Sequence, residues 1–81
     1  MIFNASIKIM PLDGLLDPQG KAVMGGLNNL QIIGIKDVRI GKQISLQIDA
    51  ASKEDAEKIA TRAAKELLAN QVMEKFEIEI A

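Results

Sequence analysis

Ile2-Phe3-Asn4-Ala5-Ser6-Ile7-Lys8-Ile9-Met10 sets the architecture, because Phe3, Ala5, Ile7 and Ile9 alternate with Asn4, Ser6 and Lys8. A strand turns successive side chains to opposite faces, so this period of two predicts a strand over 2–10 with one buried face. The same alternation returns at Ile44-Ser45-Leu46-Gln47-Ile48-Asp49 and at Phe76-Glu77-Ile78-Glu79-Ile80. A further strand-like run, Ile35, Val38 and Ile40, precedes Gly41-Lys42. Two such runs separated by two residues, the first a glycine, suit a tight hairpin with a type II′ turn. One long strand bent at Gly41 is the competing reading.

Two helices interrupt these runs. Pro11 and Gly14 end the first strand, and Asp17-Pro18 opens a helix. Asp accepts backbone N–H bonds at an N-cap, and Pro suits the first helical position because its N–H would have no partner there. Val23, Leu27 and Leu30 give this helix an apolar face. Gly25-Gly26 inside it should cost about 1 kcal/mol each relative to Ala, which points to a neighbour packing too closely for side chains. Ser52 caps a second helix with Asp55 three residues on, and Ala56, Ile59, Ala60, Ala63 and Leu67 form its predicted buried stripe. Asn70 is the predicted left-handed cap at its end. The order reads β-α-β-β-α-β, an α+β domain over 1–81 with two helices on one face of a mainly antiparallel sheet.

A single domain of 81 residues has a thin core, and the usual staples are missing. There is no Cys for a disulfide or thiolate metal site, and no His for zinc or for titration near neutrality. Self-association is the remaining device, so a homodimer or higher assembly is expected. Ten Lys and Arg against 11 Asp and Glu leave a net charge of −1, which argues against nucleic acid as a partner. With only Phe3 and Phe76 as aromatics, stacking on bases has no platform. No apolar run reaches the roughly 18 residues of a membrane span, and the first residues do not read as a secretion signal. A cytoplasmic location is expected.

Reactive chemistry is hard to place. The hydroxyls are Ser6, Ser45, Ser52 and Thr61, with no His to activate any of them, and Ser52 is explained as a cap. Glu77 and Glu79 lie two apart on the polar side of a strand, where both stay ordinary carboxylates. No catalytic residue and no metal ligand is predicted. Three segments nevertheless exceed what the fold demands: Leu16-Asp17-Pro18-Gln19-Gly20, Asp37-Val38-Arg39-Ile40-Gly41-Lys42, and Leu67-Leu68-Ala69-Asn70-Gln71-Val72-Met73-Glu74. Arg39 and Lys42 could meet a carboxylate or phosphate.

In this order and spacing, the three segments resemble PurS, the small-subunit family of phosphoribosylformylglycinamidine synthase. The first is similar to its LDPQG element, the second to DVRxGK and the third to LLANPVIExxEI. Two departures stand out: Gln71 where the family usually has Pro, and Met10-Pro11-Leu12-Asp13-Gly14 in place of a Lys-rich turn. The resemblance implies a non-catalytic subunit of de novo purine synthesis, within a complex that converts formylglycinamide ribonucleotide to formylglycinamidine ribonucleotide. That complex is expected to use ATP, Mg and glutamine, with none of these cofactors on this chain. The implied partners are a second copy, a large synthase subunit and a glutaminase subunit, which the small subunit joins so that ammonia is not lost to water. Asp17, Gln19, Arg39, Lys42 and Asn70 are the candidate subunit contacts. Two other functions fit the layout on residues alone: a regulatory module binding an amino acid, and a phosphatase-like enzyme using Arg39 and Asn70.

Overall fold

A computed structural model describes residues 1–81. Strand β1 (Ile2–Pro11) is followed by helix α1 (Pro18–Asn29), β2 (Lys42–Asp49), α2 (Lys53–Ala63), one π-helical turn (Ala64–Leu68) and β3 (Glu74–Ile80). The sheet has the order β2-β1-β3, with β1 antiparallel to both neighbours. In this register Ile7 faces Ile44 on one side and Ile78 on the other, while Ala5 faces Leu46 and Ile80. The apolar residues of all three strands therefore share one face. Asn4, Ser6, Lys8, Ser45, Gln47, Glu77 and Glu79 share the other, as the alternation predicts.

Helix α2 covers the apolar face and lies against all three strands. Its buried line is Ala56, Ala60 and Ala64, each fully excluded from solvent, set against Ile7 and Ile9 of β1 in one cluster. Alanine at every fourth position lets the helix backbone approach the sheet closely. The predicted stripe is thus corrected: Ile59 and Leu67 are exposed. Ile59 lies to the side of the buried alanine line, whereas Leu67 is turned outward by the π-helical turn, where the Ala69 N–H reaches back five residues to the Ala64 carbonyl. The extra residue rotates the chain so that Leu68 and Ala69, not Leu67, meet the sheet. Gln71 fits this irregular end, donating its side-chain amide to the Lys65 carbonyl at 3.0 Å.

The α+β class and the antiparallel sheet hold, but the predicted β-α-β-β-α-β order loses one strand. Residues 35–40 join no sheet, so the Gly41-Lys42 hairpin does not form; the chain runs on past Gly41 and is paired only from Lys42. Side chains have taken the amides that a strand would pair. Ile40 N–H donates to the Asp17 carboxylate at 2.8 Å, and Val38 N–H to the Asp37 carboxylate at 2.9 Å. Gly41 serves close approach instead of a turn, because a Cβ there would overlap the Ile9 carbonyl and the Met10 sulfur.

A second correction concerns α1, which makes no extended contact with any strand or with α2. Helix α1 and the unpaired return form an arm that stands off the sheet. Nothing lies within 4 Å of a Cβ built on Gly25 or Gly26, so the close neighbour inferred from these glycines is not within this chain. The Cα radius of gyration is 16.2 Å, against roughly 12 Å for a compact domain of this length.

The core makes a direct prediction. Ile7→Ala should lower stability by about 2–5 kcal/mol, because it opens a cavity at the centre of the sheet. Ala60→Leu should cost about 1–3 kcal/mol by forcing helix and sheet apart. Urea unfolding at fixed protein concentration reads both, and a loss under about 0.5 kcal/mol, usual for surface sites, would contradict the assigned core.

Candidate functional site

The first two of the three motif segments meet where the arm leaves the sheet body. Asp17 ends the outgoing loop and caps α1, with one carboxylate oxygen accepting from Gly20 N–H at 3.1 Å. Its other oxygen accepts from Ile40 N–H on the returning chain. Arg39 closes the same root from the opposite direction, donating to the Leu12 carbonyl at 2.8 Å and to the Leu15 carbonyl at 3.2 Å. Gly20 is buried, and a Cβ there would overlap both the Val38 carbonyl and the Asp17 carboxylate. Gly20 therefore has the structural reason that its position in a first helical turn does not supply.

Asp17 is the one buried charged side chain. The amides of Ile40 and then Gly20 hold its carboxyl below its ordinary value of 3.8, aided by the Arg39 charge and opposed by burial. A carboxylate that accepts charge-assisted bonds from two chain segments is a fastener. Its orientation turns it away from solvent.

The other candidates divide. Gln19 is exposed beside this root. Lys42 is exposed at the start of β2, with its ammonium 4.0 Å from the Glu74 carboxylate. Asn70 is not in the left-handed region; the only non-glycine residue with positive φ is Gln31. The predicted cap fails because the π-helical turn ends the helix in an extended residue, Ala69. Asn70 organises the next turn instead, accepting from Val72 N–H at 3.1 Å and donating its own N–H to Glu74 at 2.8 Å. Leu12 N–H pairs with the Met73 carbonyl at 2.8 Å, which ties this turn to the loop before the arm. Pro11, Leu15, Leu16 and Met73 line a cleft there with Asn70 and Glu74.

A phosphatase-like reading loses its cation, since the Arg39 guanidinium is engaged by two backbone carbonyls. No group of three or more acidic side chains is placed to hold a metal ion. The partners of Asp17 and Arg39 are backbone atoms of Gly20, Ile40, Leu12 and Leu15. No side-chain pattern marks such atoms; Gly20, within a segment that exceeds what the fold demands, is their one trace in the sequence.

An open three-stranded sheet, one covering helix and a projecting arm define a small α+β protein whose clustered polar residues, Asp17 and Arg39, are engaged by backbone atoms. The family described as PurS, phosphoribosylformylglycinamidine (FGAM) synthase, matches residues 4–81. Relatives named phosphoribosylformylglycinamidine synthase subunit PurS include one from Mycobacterium leprae, 42% identical over 93% of this chain and 91% of the relative. Another, from Thermotoga maritima, is 32% identical over 95% of this chain and 94% of its own. The solved structure of PurLQS from Thermotoga maritima matches with a TM-score of 0.92 at 31% identity, covering 100% of this chain and 99% of that one. The chain belongs to the PurS family, the small subunit of FGAM synthase in purine biosynthesis.

Asp17 sets a pH dependence with a definite sign. Its folded pKa is depressed, so its stabilising contribution is present above the unfolded value and is lost as pH falls through the folded one. Asp17→Asn should therefore be less stable than the unchanged protein at pH 7, and the gap should close as pH falls below about 4. Thermal melts across pH 2.5–7 check this, and a gap that widens in acid would contradict it.

Proposed function

We propose that this chain acts as one 81-residue, non-catalytic domain that joins the large synthase and glutaminase subunits of the ATP-, Mg- and glutamine-dependent complex. It helps keep ammonia from being diluted and protonated between its release and its use. The single observation that carries this is the match over residues 4–81 to a family that includes a chain solved within PurLQS. The chain's own side chains are consistent with it, since its polar cluster fastens backbone and assembles no nucleophile with a base. Gln19 and Lys42, whose side chains face solvent, are the proposed direct contacts with partner subunits, and the complex is placed in the cytoplasm.

Self-association supports the same role. The exposed surface is 6022 Å², whereas a compact protein of this mass exposes roughly 4,800 Å². The excess of about 1,200 Å² exceeds the roughly 800 Å² that each partner contributes to a standard interface. Much of that excess belongs to the arm, where Leu30 is 73% and Ile33 90% exposed, beside Val23, Ile32 and Ile35. The apolar sheet face has matching space, because Ile44, Leu46, Phe76, Ile78 and Ile80 are only half-buried beside α2. We assign the arm as the surface that meets a second copy.

Mixed with its large and glutaminase subunits, the chain should co-elute and restore glutamine-dependent turnover; full glutamine-dependent turnover without it would overturn the bridging role. Separately, Leu30→Glu with Ile33→Glu should weaken self-association at least tenfold in light scattering across a dilution series. Retention of the unchanged association would exclude the arm as the contact.

A further inference from the structure

The arm is a lever held at one end. Helix α1 has 12 residues and is about 18 Å long, yet Gly25 and Gly26 have open space around them. Hydrogen bonds beyond the first turn are local to the arm, such as Leu30 N–H to Gly26 and Ile32 N–H to Leu27. Only the root crosses from the outgoing loop to the returning chain, through Asp17 to Ile40 and through Arg39 to Leu12 and Leu15. Both buried residues of the arm and its hinge loop, Asp17 and Gly20, lie at this root. A change of about 10° there would carry the far end of an 18 Å helix through roughly 3 Å. Close-packed apolar contacts do not survive a displacement of that size.

We infer that Asp17 and Arg39 are positioning residues, forming a two-point clasp that holds the arm at one angle to the sheet. Their effect on assembly passes through the arm's pose and not through contact with the partner. The two contacts are complementary in placement. Asp17 joins the helix start to the return, whereas Arg39, the residue before Ile40, ties the return to the loop before the helix. Gly20 lets the two chain segments come close enough for both. The consequence for assembly rests on the reading of the arm as a self-association surface; the clasp itself does not.

The test uses the absence of native cysteine, which lets spin labels be attached at chosen sites only. Labels on Asn29→Cys, near the far end of α1, and Ser45→Cys, on the exposed face of β2, report the arm-to-body distance. Labelled chains are diluted into excess unlabelled protein so that only distances within one chain are read. The otherwise unchanged protein should give one narrow distribution. Asp17→Asn places an amide N–H₂ against the Ile40 N–H, and Arg39→Lys loses one of two carbonyl contacts. Each should broaden the distribution at least twofold, as should Gly20→Ala, which forces the segments apart. Circular dichroism must show the sheet retained; if Asp17→Asn fails this control, Arg39→Lys carries the test. A distribution as narrow as the parent's in Arg39→Lys and Gly20→Ala overturns the clasp. Light scattering of the same variants should show self-association weakened at least tenfold. A parent protein monomeric at every concentration would remove the self-association reading, while the label distances still decide the clasp.

Discussion

A three-stranded sheet has one apolar face to hide, and here one helix lined with alanine is all that lies on it. That shortage of cover shapes the rest of the molecule. Alanines at positions 56, 60 and 64 bring α2 close to Ile7 and Ile9 but leave the flanks of the sheet half-covered. The second helix, which would complete the layer, stands away on an arm with its own apolar face uncovered. Buried residues number ten of 81, so the fold has little core of its own to draw on.

The polar residues singled out by sequence acquire a different meaning in this setting. Asp17 and Arg39 look like binding residues because carboxylate and guanidinium are recognition groups. Here both are satisfied by backbone amides and carbonyls across the root of the arm. Such contacts leave no free charge for a ligand but restrict how the arm can swing. On the proposed role, a subunit that joins other chains benefits from that arrangement, since it has to present surfaces at fixed angles.

Legibility of the fold followed the range of the forces involved. Strands β1, β2 and β3 were readable because alternation is a local consequence of backbone geometry. Both N-caps were readable for the same reason: Asp17 and Ser52 accept bonds from residues three positions on. The strand over 35–40 was misread because its apolar residues suggest a strand while the Ile40 amide goes to Asp17, 23 residues away, which a local pattern cannot show. The stripe on α2 went wrong at Leu67 because one π-helical turn shifts the helical phase, and Asn70 lost its capping role with it. In the candidate site, residue types were legible and their partners were not, since four of those partners are backbone atoms.

Sequence alone indicated the three paired strands, their wet and dry faces and the two helix starts. These depend on side-chain type and on spacings of two, three or four residues. Tertiary structure decided that α1 leaves the sheet, that Gly41 is a close approach and not a turn, and that Asp17 joins the start of α1 to Ile40. Those outcomes turn on contacts between segments far apart in the chain. In a sheet with too little cover, the same apolar helix face could have folded inward or been presented outward, and only the geometry of the arm's root shows which.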